Sequence, residues 1–294
     1  MIRMPLWQRV AGHAALVSLS FVFVMPFAWL VTTSLQPDTE RSQLVPAFIP
    51  GPKSFGDAVE RATGRHLVYQ PTLTQYEKGL TRVPVLMFLR NTLLVCVLTV
   101  IGTILSSSLV AYGFSILRWK GRDAIFFLML ATMMLPGQVT MIPVFTIWRT
   151  FGAVDTFWPL VLPAFLGAPF FIFLFRQFFL TIPRELVEAA RMDGASEWRI
   201  WWQLVMPLSA PAIATVGLFS FLGAWNDFLN PLIYLADQGK YTLSLGLAMF
   251  RTQYGSEYGQ MMAVAALMVV PIIVLFFLAQ KTFIQGIKTS GLKG

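Results

Sequence analysis

Few residues in this sequence could do chemistry, and their spacing argues against catalysis. Asn226 and Asp227 stand side by side inside a long apolar stretch. An ionisable group at membrane depth is costly and faces a pathway or a partner. The pair is therefore a candidate polar lining for a solute path, with helix–helix hydrogen bonding as the equal alternative. His13 and His66 are far apart in the chain, which gives neither a metal site nor a catalytic pair. No other group of residues has metal-ligand spacing, and no nucleophile stands with a base. Gly239-Lys240 lacks the upstream glycine of a phosphate-binding loop and is followed by Tyr241. The lone Cys96 lies in an apolar run and can form no internal disulfide. The chain is not read as an enzyme.

The elements that must position these residues are membrane spans. Of 294 residues, 56% are hydrophobic and 12% charged, with a mean hydropathy of +0.66. A soluble domain carries about 25% charged residues and could not bury so much apolar surface at this size. Lipid must be part of the solvent. Six segments are long enough to cross a bilayer: roughly 10–34, 86–117, 124–148, 156–180, 207–235 and 260–284. Their apolar runs show no period-two alternation, so they are helices rather than barrel strands. The first follows Arg3 and Arg9 but is too long for a signal-peptide core, and is read as a retained span. The short basic connection Arg118-Trp119-Lys120-Gly121-Arg122 belongs on the cytoplasmic side, which puts both termini there as well. The net charge of +8 then reflects topology and points to no nucleic acid.

The expected fold class is an all-α polytopic membrane protein of six helices. Residues 1–35 form a tail and first span, 36–84 an external loop or cap, and 85–294 a five-helix core. In a second external loop, 236–259, Tyr241, Phe250 and Tyr254 are candidates for contact with an external partner. Interface anchoring is the plainer reading of such aromatics. Ser107, Ala111 and Ser115 recur every fourth residue, a stripe suited to close helix packing. Pro136, Pro143, Pro163, Pro169 and Pro271 can kink the spans that carry them.

The most informative stretch is the connection 181–207, longer than adjacent spans need. It reads as two short helices outside the membrane. Pro183 suits the start of the first. Arg184, Glu185, Glu188 and Arg191 form a polar face, and Leu186, Ala189, Ala190 and Met192 an apolar one. Gly194 ends that helix, and Ser196 caps the second. Trp198, Trp201 and Trp202 return the chain to the bilayer interface.

Glu188-Ala189-Ala190, Asp193-Gly194-Ala195 and the later Pro207 resemble the "EAA" loop of binding-protein-dependent ATP-binding-cassette importers. The flanks, from Ile182-Pro183-Arg184-Glu185-Leu186 to Ala224-Trp225-Asn226-Asp227-Phe228, are similar to the carbohydrate-uptake branch, which serves maltose, other oligosaccharides and glycerol-3-phosphate. The resemblance runs from about Arg90 to Gly294. Leu204 and Met206 depart from the pattern's Ile and Leu but keep apolar volume. It implies a type I importer permease in a bacterial or archaeal cell membrane. It also implies a second related permease, two copies of a cytoplasmic ATPase that carry ATP and Mg, and an extracytoplasmic solute-binding protein. This chain itself would need no cofactor. Glu188, Ala189, Ala190, Asp193, Gly194, Ala195 and Pro207 would couple the permease to the ATPase. The tail 285–294 is a further candidate for ATPase contact. An ion-gradient-driven carrier is the alternative, but the six spans lack the internal repeats of that class. An intramembrane enzyme would need more than Asp227.

Overall fold

The computed structural model describes residues 6–38, 49–65, 67–252 and 257–290. Long apolar runs give long helices, even where one carries a proline. Helix α1, Leu6–Ser34, has 29 residues and keeps Pro26 inside it. After the strands β1 (Ile49–Pro50) and β2 (Val68–Tyr69), with α2 (Lys53–Thr63) between them, comes α3, Thr74–Arg82. Helix α4, Val85–Ser115, has 31 residues and a length of about 46 Å. Among the described residues, four helical runs are long and apolar enough to cross a membrane: Trp7–Ser34, Val85–Ser115, Trp158–Phe179 and Tyr258–Leu278.

Three of the six expected spans are not single straight helices. The stretch expected at 124–148 is α5 (Arg122–Thr132) and α6 (Gly137–Thr150), which meet at 94°. Pro136 is extended at φ −60°, ψ 132°. It has no N–H to continue α5 and drives the residue before it out of the helical region. Pro143 sits within α6 without breaking it. The fourth stretch has an internal interruption: α7 (Trp158–Val161), a tight turn at Leu162–Leu166, Gly167 at φ +86°, then α8 (Pro169–Phe179). Pro169 opens α8, where its missing N–H costs nothing.

Helices α9 (Arg184–Met192) and α10 (Glu197–Leu208) follow. The stretch expected at 207–235 is then α11 (Ala210–Trp225) and α12 (Leu229–Tyr234). Helix α11 meets α10 at 82°. Its 16 residues span about 24 Å, short of the roughly 30 Å hydrocarbon core. Counting each bent pair as one span brings the total to six. The second expected loop, 236–259, contains a ten-residue helix, α13 (Leu243–Thr252). Helix α14, Tyr258–Ser290, closes the chain.

The chain divides into two compact units, Met1–Val85 with Gly246–Pro271, and Leu86–Leu245 with Ile272–Gly294. In the first, β1 pairs parallel with β2, Ile49 opposite Val68. Strand β2 and the segment after it are tied to the end of α1. Tyr69 donates to the Thr32 carbonyl at 2.5 Å, and Gln75 Nε2 donates to the Gln36 carbonyl at 3.2 Å. A Cβ on Gly79 would meet Val264 at 3.1 Å, so that glycine lets α3 approach α14 closely.

In the second unit, Phe175, Phe179, Val205 and Val216 have no exposure and pack with Ala111, Ile200 and Trp201. The Ser107, Ala111, Ser115 stripe is buried and serves packing. Ser107 Oγ accepts from the Ala168 N–H at 3.3 Å, and Ser106 donates to the Ala164 carbonyl at 2.7 Å. One turn earlier, a Cβ on Gly102 would lie 2.5 Å from the Phe165 ring.

Candidate functional site

Helix α9 and the start of α10 form a corner held by every local device available to it. After Asp193, Gly194 takes φ +78°. The Ala195 N–H reaches the Ala190 carbonyl at 3.0 Å, and the Gly194 N–H reaches that of Arg191 at 3.0 Å. These are the two bonds of a Schellman C-cap. Ser196 then caps α10, its Oγ accepting from the Arg199 N–H at 3.3 Å.

Across the corner, Arg191 Nε donates to Glu197 Oε1 at 2.7 Å and Nη2 to Oε2 at 3.2 Å. Such a two-pronged pair fixes geometry as well as charge. The hydrogen bond from Arg191 holds the Glu197 carboxyl below its ordinary pKa, and Glu197 in turn raises that of Arg191. Tyr112, near the end of α4, donates to Glu197 Oε2 at 2.5 Å. The corner is thereby tied to a membrane-crossing helix.

The faces of α9 differ from the expected division. Val187 is buried and Ala190 half-buried, whereas Leu186, Ala189 and Met192 are exposed, Met192 at 83%. At about 100° per residue these five residues fall on one continuous arc, with Met192 and Ala189 toward its solvent end and Val187 at its buried end. The apolar arc is thus wider than the part of it that packing buries, which leaves its Leu186, Ala189 and Met192 portion facing solvent. Among the coupling candidates, Glu188, Asp193, Gly194 and Pro207 are exposed and Ala195 half-buried. The tryptophans also divide: Trp201 is buried, while Trp198 and Trp202 are 62% and 52% exposed. Pro207 does not begin a new span but lies within α10, where Trp201–Val205 forms a wide π turn. A proline there removes the bond that the carbonyl four residues earlier would accept, and the widened turn relieves the clash.

A second constellation lies on α4, α11 and the break after it. A cavity of about 320 Å³ is lined by Thr99, Thr103, Phe171, Phe219, Ser220 and Asp227, among others. Ser220 donates to Thr103 at 3.2 Å, and the buried Thr99 Oγ1 has no partner. Asp227 is half-buried and accepts from the Asn230 N–H at 3.2 Å and its Nδ2 at 2.8 Å. It therefore caps α12 while facing the cavity. Asn226 is exposed and donates to the Leu222 carbonyl at 2.9 Å, closing the last turn of α11. The structure thus separates the pair, and only Asp227 lines the cavity.

The 236–241 segment is held by a residue that sequence reasoning passed over. Asp155 Oδ1 accepts from the N–H groups of Ala236 and Asp237, both at 3.0 Å, and Oδ2 from Lys240 Nζ at 2.7 Å. The Asp237 N–H, Lys240 and the Ala236 N–H lower its pKa to about 2. Its backbone takes φ +61°, a left-handed conformation that aspartate tolerates better than most residues. Tyr241 is half-buried, 6.2 Å from Phe88, and its carbonyl accepts from Asn91 at 3.0 Å. Phe250 has no exposure, so its side chain offers nothing to an external partner. Tyr254 lies outside the described residues. The only signal for Asp155 was an acid in the Gly152–Asp155 turn. Nothing in the local sequence pairs Tyr112 with Glu197.

The chain matches the family described as binding-protein-dependent transport system inner membrane component over residues 99–289. It is 31% identical over 290 residues to the arabinooligosaccharides transport system permease protein AraQ of Halalkalibacterium halodurans, covering 98% of this chain and 96% of that one. The lactose transport system permease protein LacG of Rhizobium radiobacter is 28% identical, covering 94% of each. In fold, the chain is similar to one in the crystal structure of a bacterial ABC transporter involved in the import of the acidic polysaccharide alginate. The TM-score is 0.79 at 22% identity, covering 96% of this chain and 99% of that one.

Proposed function

The chain belongs to the family of binding-protein-dependent transport inner membrane components, and we propose on that premise that it forms half of the translocation pathway of an ATP-driven carbohydrate importer. As a permease subunit it is not an enzyme, and ATP is hydrolysed by a separate subunit. The observation that carries the proposal is the corner at Gly194. A helix with an exposed stripe, Leu186, Ala189 and Met192, is braced by Arg191 and Glu197 and hydrogen-bonded through Tyr112 to α4. A cytoplasmic ATPase gripping that stripe would move α4 through a short rigid path. Glu188 stands exposed beside it as the ionic contact.

The carbohydrate class is supported by relatives whose names specify arabinooligosaccharides and lactose. The Asp227 cavity is chemically suitable. It offers one carboxylate, four hydroxyls and two aromatic faces, the mixture that hydroxyl-rich and ring-shaped solutes use. The proposed assembly has a second related permease, two ATPase copies holding ATP and Mg, and an external binding protein that meets the 236–241 surface. Six spans with both termini cytoplasmic fit that assembly. Affinity purification of tagged chain from native membranes tests it. Recovery of a second permease and a P-loop ATPase is expected; a chain recovered alone or only as a homo-oligomer would refute the assignment.

A further inference from the structure

A cavity of about 490 Å³ opens where α4 ends, between the basic connection that follows and the start of α9. Its wall carries Arg118, Arg122, Arg184 and Arg191 against a single carboxylate, Glu188. Two of these guanidiniums are already satisfied, Arg191 by Glu197 at 2.7 Å and Arg122 by Asp123 at 3.1 Å. Among the described residues, Arg118 and Arg184 have neither an ion-pair nor a hydrogen-bond partner through their side chains. The remaining wall is largely apolar, including Leu117, Phe179 and Ile182. A guanidinium left without an acid beside apolar surface suits a ligand with an anionic head and a hydrocarbon body.

The depth of the cavity narrows the choice. Its first residue, Ser115, is the last residue of the membrane-crossing helix α4. Trp119 lies in the same wall, 41% exposed, with its Nε1–H donating to the Gly113 carbonyl at 3.0 Å. An indole with one polar edge settles at headgroup depth. Basic pockets at that level bind lipid phosphates, and the guanidinium fork matches phosphate oxygens two at a time.

We propose that this cavity binds the phosphate of an anionic phospholipid, held by Arg118 and Arg184, with an acyl chain against the apolar wall. The lipid would brace the buried side of α9, since Val187 also lines the cavity. The inference rests on α4 crossing the membrane and not on coupling to an ATPase, and its test uses no nucleotide.

The test is native mass spectrometry of the assembled importer taken from nanodiscs of phosphatidylcholine with and without phosphatidylglycerol. Retained phosphatidylglycerol is expected, falling in R118Q/R184Q by a factor of about five for each guanidinium, roughly twenty-five-fold for both. The control K120Q/R199Q removes the same charge from residues outside the cavity wall and should retain the lipid. Equal retention by R118Q/R184Q would overturn the proposal, as would equal loss in the control, which would show only a diffuse field. Displacement by inorganic phosphate would overturn the lipid assignment in favour of a soluble anion. Lipid held by the free chain but not by the assembled importer would overturn it in favour of an ATPase contact.

Discussion

Replacing Gly194 separates the conformation of the corner proposed to couple from its chemistry. The residue takes φ +78°, and a Cβ built there would meet nothing within 4 Å. A substitution therefore costs backbone strain alone. Alanine in a left-handed conformation costs about 1–2 kcal/mol. Valine, branched at Cβ, belongs toward the upper end of the roughly 1–3 kcal/mol range for strained backbone. Asparagine visits this region routinely and should cost least. Each 1.4 kcal/mol lowers the ratio of formed to unformed corner about tenfold. The expected order of damage is Asn, then Ala, then Val. The assay is uptake and solute-stimulated ATP hydrolysis by the complete importer in proteoliposomes, with membrane-inserted protein measured in parallel. Gly194→Val should abolish coupled uptake while the protein remains in the membrane. If Gly194→Asn were as damaging as Gly194→Val, the glycine would matter for close approach of a partner rather than for its φ. Normal uptake by Gly194→Val would refute the coupling role of the corner.

Three other outcomes follow from the geometry. Tyr112→Phe and Glu197→Gln should be non-additive in coupled ATPase rate, with an interaction energy of about 0.5–3 kcal/mol; additivity within error would remove Tyr112 from the coupling path. Gly102→Ala should destabilise by about 1–3 kcal/mol through overpacking against Phe165. The thermal midpoint in detergent should recover in G102A/F165L, and no recovery would mean that the close approach lies elsewhere. Asp155, with its pKa lowered to about 2, stabilises the 236–241 segment above the ordinary carboxylate pKa and loses that contribution as pH falls toward 2. Hydrogen exchange of the Ala236 and Asp237 amides should therefore keep constant protection from pH 8 to about 5 and lose it on further acidification. Asp155→Asn should show that loss at neutral pH; protection that drops near pH 6.5 instead would point to another group.

Helix existence was the most legible part of this chain, because long apolar runs admit few alternatives in lipid. Gly194 and Ser196 were legible for a different reason. A left-handed stop and an N-cap are local devices, each confined to a few residues. The bend at Pro136 could be anticipated from its proline, and the turn at Ser209 lies between two more, Pro207 and Pro211, but only the structure shows that it reaches 82°. The inward face of α9 was not legible because its apolar residues cover one wide arc, and only packing shows that Val187 faces the core. Asp227 lay in plain view, yet its separation from Asn226 depends on where α11 stops. The bond between Tyr112 and Glu197 and the clamp at Asp155 join residues distant in sequence, so no local pattern could announce them.

The corner at Gly194 also decides where deformation collects. Elements that pass a load from one to the next behave as springs in series, and the most compliant one takes up most of the displacement. At Gly194 the joint carries two backbone bonds, a serine cap, a two-pronged ion pair and a tyrosine hydroxyl. At Ser209, where α10 turns by 82° into α11, the serine hydroxyl bonds only back to Val205 at 2.7 Å. Among the described residues, no side-chain hydrogen bond or ion pair joins those two helices. Under the coupling proposed above, a push on α9 would be taken up at Ser209, where apolar packing of Val205 and Met206 with Ala212 and Val216 joins the two helices, and would there become rotation of α11, whose far end meets the Asp227 cavity.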